Sequence, residues 1–105
     1  MVAKVNATIK LSSGINNVIV ELWDVDVLAD DKIDSKIVSH SGPIEFLFSI
    51  ADTGEFNPEL QLRVFSDTQK ELYRSNIDTS ISMLNTDKAT GFMEHTTIEF
   101  GTIEL

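Results

Sequence analysis

Apolar residues recur at every second position along most of this chain, which is the period of a β-strand with one buried face. The pattern is clearest in residues 5–11, 18–23, 44–50 and 60–64, and no segment shows a helical period of 3.6. Turn-forming residues separate these segments. The pattern predicts strands at residues 4–11, 18–23, 35–39, 44–50, 60–64, 71–77 and 96–105.

In the last predicted strand, residues 96–105, the alternation of apolar and polar residues changes phase. Ile98 and Phe100 share one parity, whereas Ile103 and Leu105 share the other. Because a slip of one residue turns every later side chain to the opposite face, the change predicts a β-bulge at Gly101.

Regularly spaced strands separated by turns predict an all-β fold, an antiparallel β-sandwich of seven to eight strands with Greek-key connections. In the strand at residues 35–39, Ile37 is the residue expected to face the core. The chain has 105 residues, of which 42% are hydrophobic. A chain of this length and composition predicts a single domain over residues 1–105.

Charge and composition exclude several classes of function. The formal net charge is -9, and a surface of that sign repels phosphate backbones, so no nucleic-acid partner is expected. There is no cysteine, which rules out disulfides and thiolate chemistry. No apolar segment is long enough to span a membrane, and the N-terminus lacks the apolar stretch of a signal peptide. These features predict a soluble domain that is cytoplasmic or part of a larger assembly.

An acidic segment at residues 24–34 carries the candidate metal ligands. Asp24, Asp26, Asp30 and Asp31 fall close together after an apolar strand. Carboxylate oxygens in a flexible loop are the ligands that calcium prefers, so calcium is the one cofactor these residues suggest. The alternative is a solvated loop whose charges protect a sheet edge from aggregation.

The order of the strand and turn motifs resembles that of transthyretin-like β-sandwiches. The residues that carry this resemblance are Val18–Asp26, Asp30–Ile33, the turn at Gly42, Pro58–Phe65 and Phe100–Leu105. The resemblance implies a sandwich of seven or eight strands. It does not extend to the hydrolase branch of that family, because the tyrosine-arginine-glycine-serine ending is absent.

A second, local resemblance is to the third calcium-binding loop of C2 domains. It is carried by Leu22–Asp26 followed by Asp30–Ile33, near the start of the chain instead of near its end. This resemblance implies a calcium-binding module and is the alternative functional hypothesis.

Catalysis has weak support in the sequence. His40 and His95 are the two histidines, and neither stands in a recognisable catalytic constellation. The chain is therefore expected not to be an enzyme, with a small-molecule hydrolase built on a histidine as the remote alternative.

Trp23, on the outward parity of its strand, is the candidate partner-binding residue. The leading hypothesis is a non-catalytic interaction or structural module that contacts another protein or a second copy of itself.

Overall fold

A computed structural model describes residues 2–26, 28–49, 58–80 and 96–105 of the chain. These residues form seven β-strands and no helix. The strands are β1 (Val2–Lys10), β2 (Val18–Asp24), β3 (Asp31–Val38), β4 (Gly42–Ser49), β5 (Leu60–Ser66), β6 (Glu71–Arg74) and β7 (Thr96–Glu104). The alternation of Ile81 and Met83 in the sequence suggests a further short strand, and these two residues lie outside the described residues.

The strands form two sheets that pack as a sandwich, which confirms the predicted fold class. One sheet has three strands in the order β4-β1-β7, and the other has four strands in the order β3-β2-β5-β6. All the strand pairs are antiparallel except β1 with β7, which run parallel. The predicted antiparallel arrangement does not hold for this one pair, because alternation along a strand carries no information about the direction of its neighbour.

The core lies between the two sheets and is built from the alternating apolar positions. In β1 and β2 every second residue is buried, and β5 contributes Leu60, Leu62 and Val64. Full burial of an aliphatic or aromatic side chain contributes about 1.5–3 kcal/mol. The buried core consists of Ala3, Val5, Ala7, Ile9, Val18, Val20, Leu22, Val38, Phe46, Phe48, Leu60, Leu62, Val64, Ile98 and Ile103.

Strand β3 is longer than predicted, and the side chain that it places in the core is not the predicted one. It begins at Asp31, so the second half of the acidic segment is strand and not loop. Val38 is directly opposite buried Val18, and Ile37 is directly opposite Ile19 on the outer face. The prediction that Ile37 faces the core is therefore wrong: it is 76% exposed, and Val38 takes the inward position. Pairing with β2, and not local hydrophobicity, sets the parity of β3.

The bulge predicted at Gly101 is present. The register of β7 against β1 shifts between Asn6 and Thr8, and Gly101 has a φ of 77°. Two residues of β7 therefore oppose one residue of β1, which brings both Ile98 and Ile103 into the core.

Replacing Gly101 with alanine should lower the free energy of unfolding by about 1 kcal/mol or slightly more. The cost is one of backbone conformation alone, because a Cβ added at this position meets no atom within 4 Å. Gly101→Asn should cost less, since asparagine tolerates positive φ better than alanine does. Urea unfolding of the two variants measures the difference, and equal costs would contradict this explanation.

Candidate functional site

The end of β2 carries the residues of interest on two opposite faces. Trp23 lies on the outer face of the four-stranded sheet, and Asp24 lies on the inner face beside Leu22. The outer face carries a polar and aromatic network, whereas the inner face carries a buried carboxylate. The two sites share a strand but not a surface.

Arg63 is the centre of the outer-face network. It is only 7% exposed, and its guanidinium lies 4.4 Å from the centroid of the Trp23 ring. Its Nη2 donates to Oδ2 of Asp30 at 2.6 Å, and its Nε donates to Oε1 of Gln61 at 2.9 Å. Charge, hydrogen bonds and ring stacking thus hold the guanidinium in one position.

The acidic loop is held over this face by the same arginine. The hydrogen bond from Arg63 is the main cause that holds the pKa of Asp30 below its ordinary value. The other carboxylate oxygen of Asp30 accepts the backbone N–H of Asp26 at 3.2 Å. Asp30 therefore joins the loop to β5.

Gln61 and Ser75 extend the network towards β6. Gln61 donates to the backbone carbonyl of Ser75 at 2.9 Å, and the Ser75 hydroxyl accepts the backbone N–H of Leu62 at 2.9 Å. Both side chains are buried. A buried polar group without a partner costs free energy, and here these groups are paired with one another.

Charged residues on the outer face are joined in ion pairs. Lys32 lies 3.5 Å from Glu21, which also accepts a hydrogen bond from the indole N–H of Trp23 at 3.0 Å. Arg74 pairs with Glu71 at 2.7 Å. Together with the Arg63–Asp30 pair, these contacts balance three basic side chains against three acidic ones.

An apolar row crosses the same face beside the network. Ile19 in β2 is directly opposite Ile37 in β3 and Phe65 in β5. Ile19 and Phe65 are half-buried, and together with Glu21 and Gln69 they line a depression of about 330 Å³. We call Ile19, Ile37 and Phe65 the apolar row.

On the inner face, Asp24 is an acidic residue at the edge of the core. It is 1% exposed, and its Oδ1 accepts the backbone N–H of Glu59 at 3.1 Å. Its Oδ2 has no hydrogen-bond partner among the described residues. Burial raises the pKa of the Asp24 carboxyl above its ordinary value, the Glu59 N–H opposes that rise, and the nearby charge of Asp31 adds to it.

A cavity of about 190 Å³ opens beside Asp24, between the edge strands of the two sheets. Asp31 and Asp34 line it from β3, and Leu47 and Phe48 line it from β4. Asp24 and Asp31 are directly opposite each other in the β2–β3 pairing, so their side chains lie on the same face.

The structure separates the four aspartates predicted to bind calcium. Asp24 and Asp31 line one cavity, Asp30 is paired with Arg63, and exposed Asp26 accepts the backbone N–H of Leu28 at 3.4 Å. In the ranges described above, no three acidic or imidazole side chains are close enough together to hold a metal ion.

No catalytic contact of a histidine is found among the described residues. His40 is exposed, and the hydroxyl of neighbouring Ser41 accepts the backbone N–H of Leu11 at 2.8 Å. That hydroxyl therefore has a structural role in the turn before β4. His95 lies outside the described residues.

Sequence reasoning named Trp23, Asp24 and Asp31 but missed Arg63 and Gln61, which complete the outer-face network. Arg63 and Gln61 alternate with core residues, so their pattern predicts side chains in solvent. Their burial comes from the acidic loop and from Ser75, both distant in sequence. The opposition of Asp31 and Asp24 depends on the β2–β3 register, which no local signal reveals.

Fold and sites together define this chain as a β-sandwich domain with a packed polar network on one sheet. No protein-family model and no curated protein matches it. It is similar in structure to part of a 9R-lipoxygenase from Cyanothece PCC8801, with a TM-score of 0.55 and 22% sequence identity. The similarity covers 97% of this chain and 16% of the lipoxygenase. It shows the β-sandwich fold alone, and no transthyretin-like family is shown.

None of the described residues forms a helix with the length and apolar character needed to cross a membrane.

Proposed function

We propose that this domain is a non-catalytic interaction module and that it contacts a second copy of itself through the outer face of the four-stranded sheet. The observation that carries the proposal is the apolar row beside the Trp23–Arg63 stack. Tryptophan is among the residues most enriched at the energetic centres of protein interfaces, and Trp23 is the half-buried member of this stack. Buried Arg63 holds the Trp23 ring in place, which lowers the entropy cost of binding.

Charge balance favours this face for self-association. Two copies with a net charge of -9 each repel one another over most approaches. On the outer face, the pairs Lys32–Glu21, Arg63–Asp30 and Arg74–Glu71 cancel their charges locally. A second copy can therefore approach this face with less repulsion than the average surface imposes.

The outer face is a better candidate than the β3 edge of the same sheet. Edge strand β3 has Lys36 on its core-facing side, opposite buried Val20, with its ammonium 5.5 Å from the Phe46 ring centroid. An inward-facing charge on an edge strand is a feature that prevents edge-to-edge strand pairing. Face-to-face packing does not require the β3 backbone and leaves this protection intact.

The substitution Ile37→Glu tests the proposal. It places a charge in the apolar row at a position that is already exposed, so the fold should tolerate it. We expect the wild-type chain to form a dimer whose population increases with concentration, and the variant to remain a monomer. Sedimentation velocity over a hundredfold range of concentration, run in a chelator, measures both.

Leu47→Glu is the matched control. Leu47 is 56% exposed, lies in the three-stranded sheet and undergoes the same change in charge. It should leave the dimer unchanged. A wild-type chain that stays monomeric at millimolar concentration would remove self-association, and equal loss in both variants would show that charge alone, and not this face, controls it.

A further inference from the structure

We infer that Asp24 and Asp31 form a binding site for a hard divalent cation in the cavity between β3 and β4. This inference does not depend on the proposed function, because the site lies on the inner side of the sheet. It also revises the calcium hypothesis drawn from the sequence, since it uses two of the four predicted ligands and leaves out the other two.

The buried oxygen of Asp24 is the first argument. The Asp24 residue is 1% exposed, so its carboxylate needs partners for both oxygens, and only Oδ1 has one among the described residues. The unpaired Oδ2 belongs to a side chain that lines the cavity. A carboxylate with one unpaired oxygen, in a residue that lines a space of about 190 Å³, is suited to binding a small cation.

The opposition of two like charges is the second argument. Asp24 and Asp31 are directly paired across β2 and β3, a position in which like charges destabilise a sheet. None of the ion pairs formed within the described ranges includes Asp24, Asp31 or Asp34. Lys32, beside the cavity, is paired with Glu21 on the outer face instead. A cation between the two carboxylates would supply the missing positive charge.

The chemistry of the cavity indicates the class of cation. Its charged lining consists of three carboxylates and Lys32, whose ammonium pairs with Glu21, and it contains no cysteine or histidine, which favours magnesium or calcium over zinc or copper. Because no three carboxylates converge within the described residues, water must complete the coordination shell. Magnesium in particular is often held by one or two carboxylates and several waters.

Separate titrations of the chelator-stripped chain with calcium chloride and magnesium chloride test the inference, by calorimetry and by thermal melting. We expect saturable binding of one ion per chain for at least one of the two cations. At a concentration about a hundred times the dissociation constant, the melting temperature should rise by on the order of 10 °C.

Three variants locate the site. Asp24→Asn and Asp31→Asn should each abolish the binding heat and the rise in melting temperature. Asp26→Asn, which makes the same change in charge within the acidic loop, should keep both. Asp31→Asn is used beside Asp24→Asn because Asp31 is exposed, so this variant removes one carboxylate of the site and leaves the buried position unchanged.

Three results would overturn the inference. The first is a wild-type chain with no saturable binding of either cation at millimolar concentration. The second is retention of binding by both Asp24→Asn and Asp31→Asn. The third is loss in Asp26→Asn equal to that in Asp31→Asn, which would assign the ion to the loop and not to the cavity. A monomeric wild-type chain would leave this inference untouched, because the proposed self-association uses the opposite face.

Discussion

Replacing Arg63 with methionine should lower the free energy of unfolding by about 2–3 kcal/mol. Methionine keeps the apolar stem but removes the guanidinium, so the stack on Trp23 is lost and the side-chain oxygen Oε1 of Gln61 loses its buried donor. The Asp30 ion pair contributes less to this figure, because the Asp30 side chain is about one-third exposed and solvent screens it. Chemical denaturation at neutral pH measures the change.

Arg74→Met is the control for this prediction. Arg74 is directly opposite Arg63 in the β5–β6 pairing and also pairs with an acidic residue, Glu71. Its side chain is 52% exposed, so the same substitution should cost less than about 1 kcal/mol. Equal losses in the two variants would mean that net charge, and not the buried network, accounts for the effect.

Replacing Asp24 with asparagine should raise the free energy of unfolding by about 1–2 kcal/mol at neutral pH in the presence of a chelator. Asparagine keeps an oxygen that can accept the Glu59 N–H, and it removes a buried charge that faces Asp31. The gain is limited because the new amide N–H groups lack an assured partner. Thermal and urea unfolding of the two proteins provide the comparison.

The pH dependence of stability gives the sign of this effect independently. Burial raises the pKa of Asp24 in the folded state, so the folded chain binds this proton more tightly than the unfolded chain does. Wild-type stability should therefore increase as pH falls from neutral through the raised pKa. In Asp24→Asn this increase should be absent, whereas exposed Asp26→Asn should retain it. A wild-type profile that falls over this interval, relative to Asp24→Asn, would contradict the explanation.

At lower pH the Asp30–Arg63 pair acts in the opposite direction. The hydrogen bond from Arg63 lowers the pKa of Asp30 in the folded state. The pair therefore stabilises the fold at pH values above the pKa that Asp30 has in the unfolded chain, and this stabilisation is lost as the pH falls through the pKa of Asp30 in the folded chain. Arg63→Met should remove that acid-side loss. Together, Asp24 and Asp30 should make their largest contribution to the free energy of unfolding at mildly acidic pH.

Both family resemblances include part of the acidic segment at residues 24–34, and the structure divides the aspartates of this segment between two separate sites. The aspartates near the end of β2 suggest a single calcium loop when they are considered by spacing alone. In the structure, Asp30 belongs to the outer-face network and Asp24 to the inner cavity. Alternation along β2 already implied that Trp23 and Asp24 face opposite ways, but the loop that follows has no such period.

The sequence by itself determined the all-β class, the approximate position of seven strands and the inward residues of β1, β2 and β5. It also determined the bulge at Gly101, because alternation and its interruption are local properties of an extended chain. Trp23 was correctly placed on the outer face for the same reason.

Tertiary structure alone decided the rest. The parallel direction of β7, the outward position of Ile37 and the burial of Arg63 each depend on a partner distant in sequence. Strand pairing selects which parity of a weakly amphipathic strand faces the core, and loop packing selects which polar side chains leave water. Neither the parity of such a strand nor the burial of such a polar side chain can be read from the residues concerned, because both depend on the free energy of contacts with distant segments.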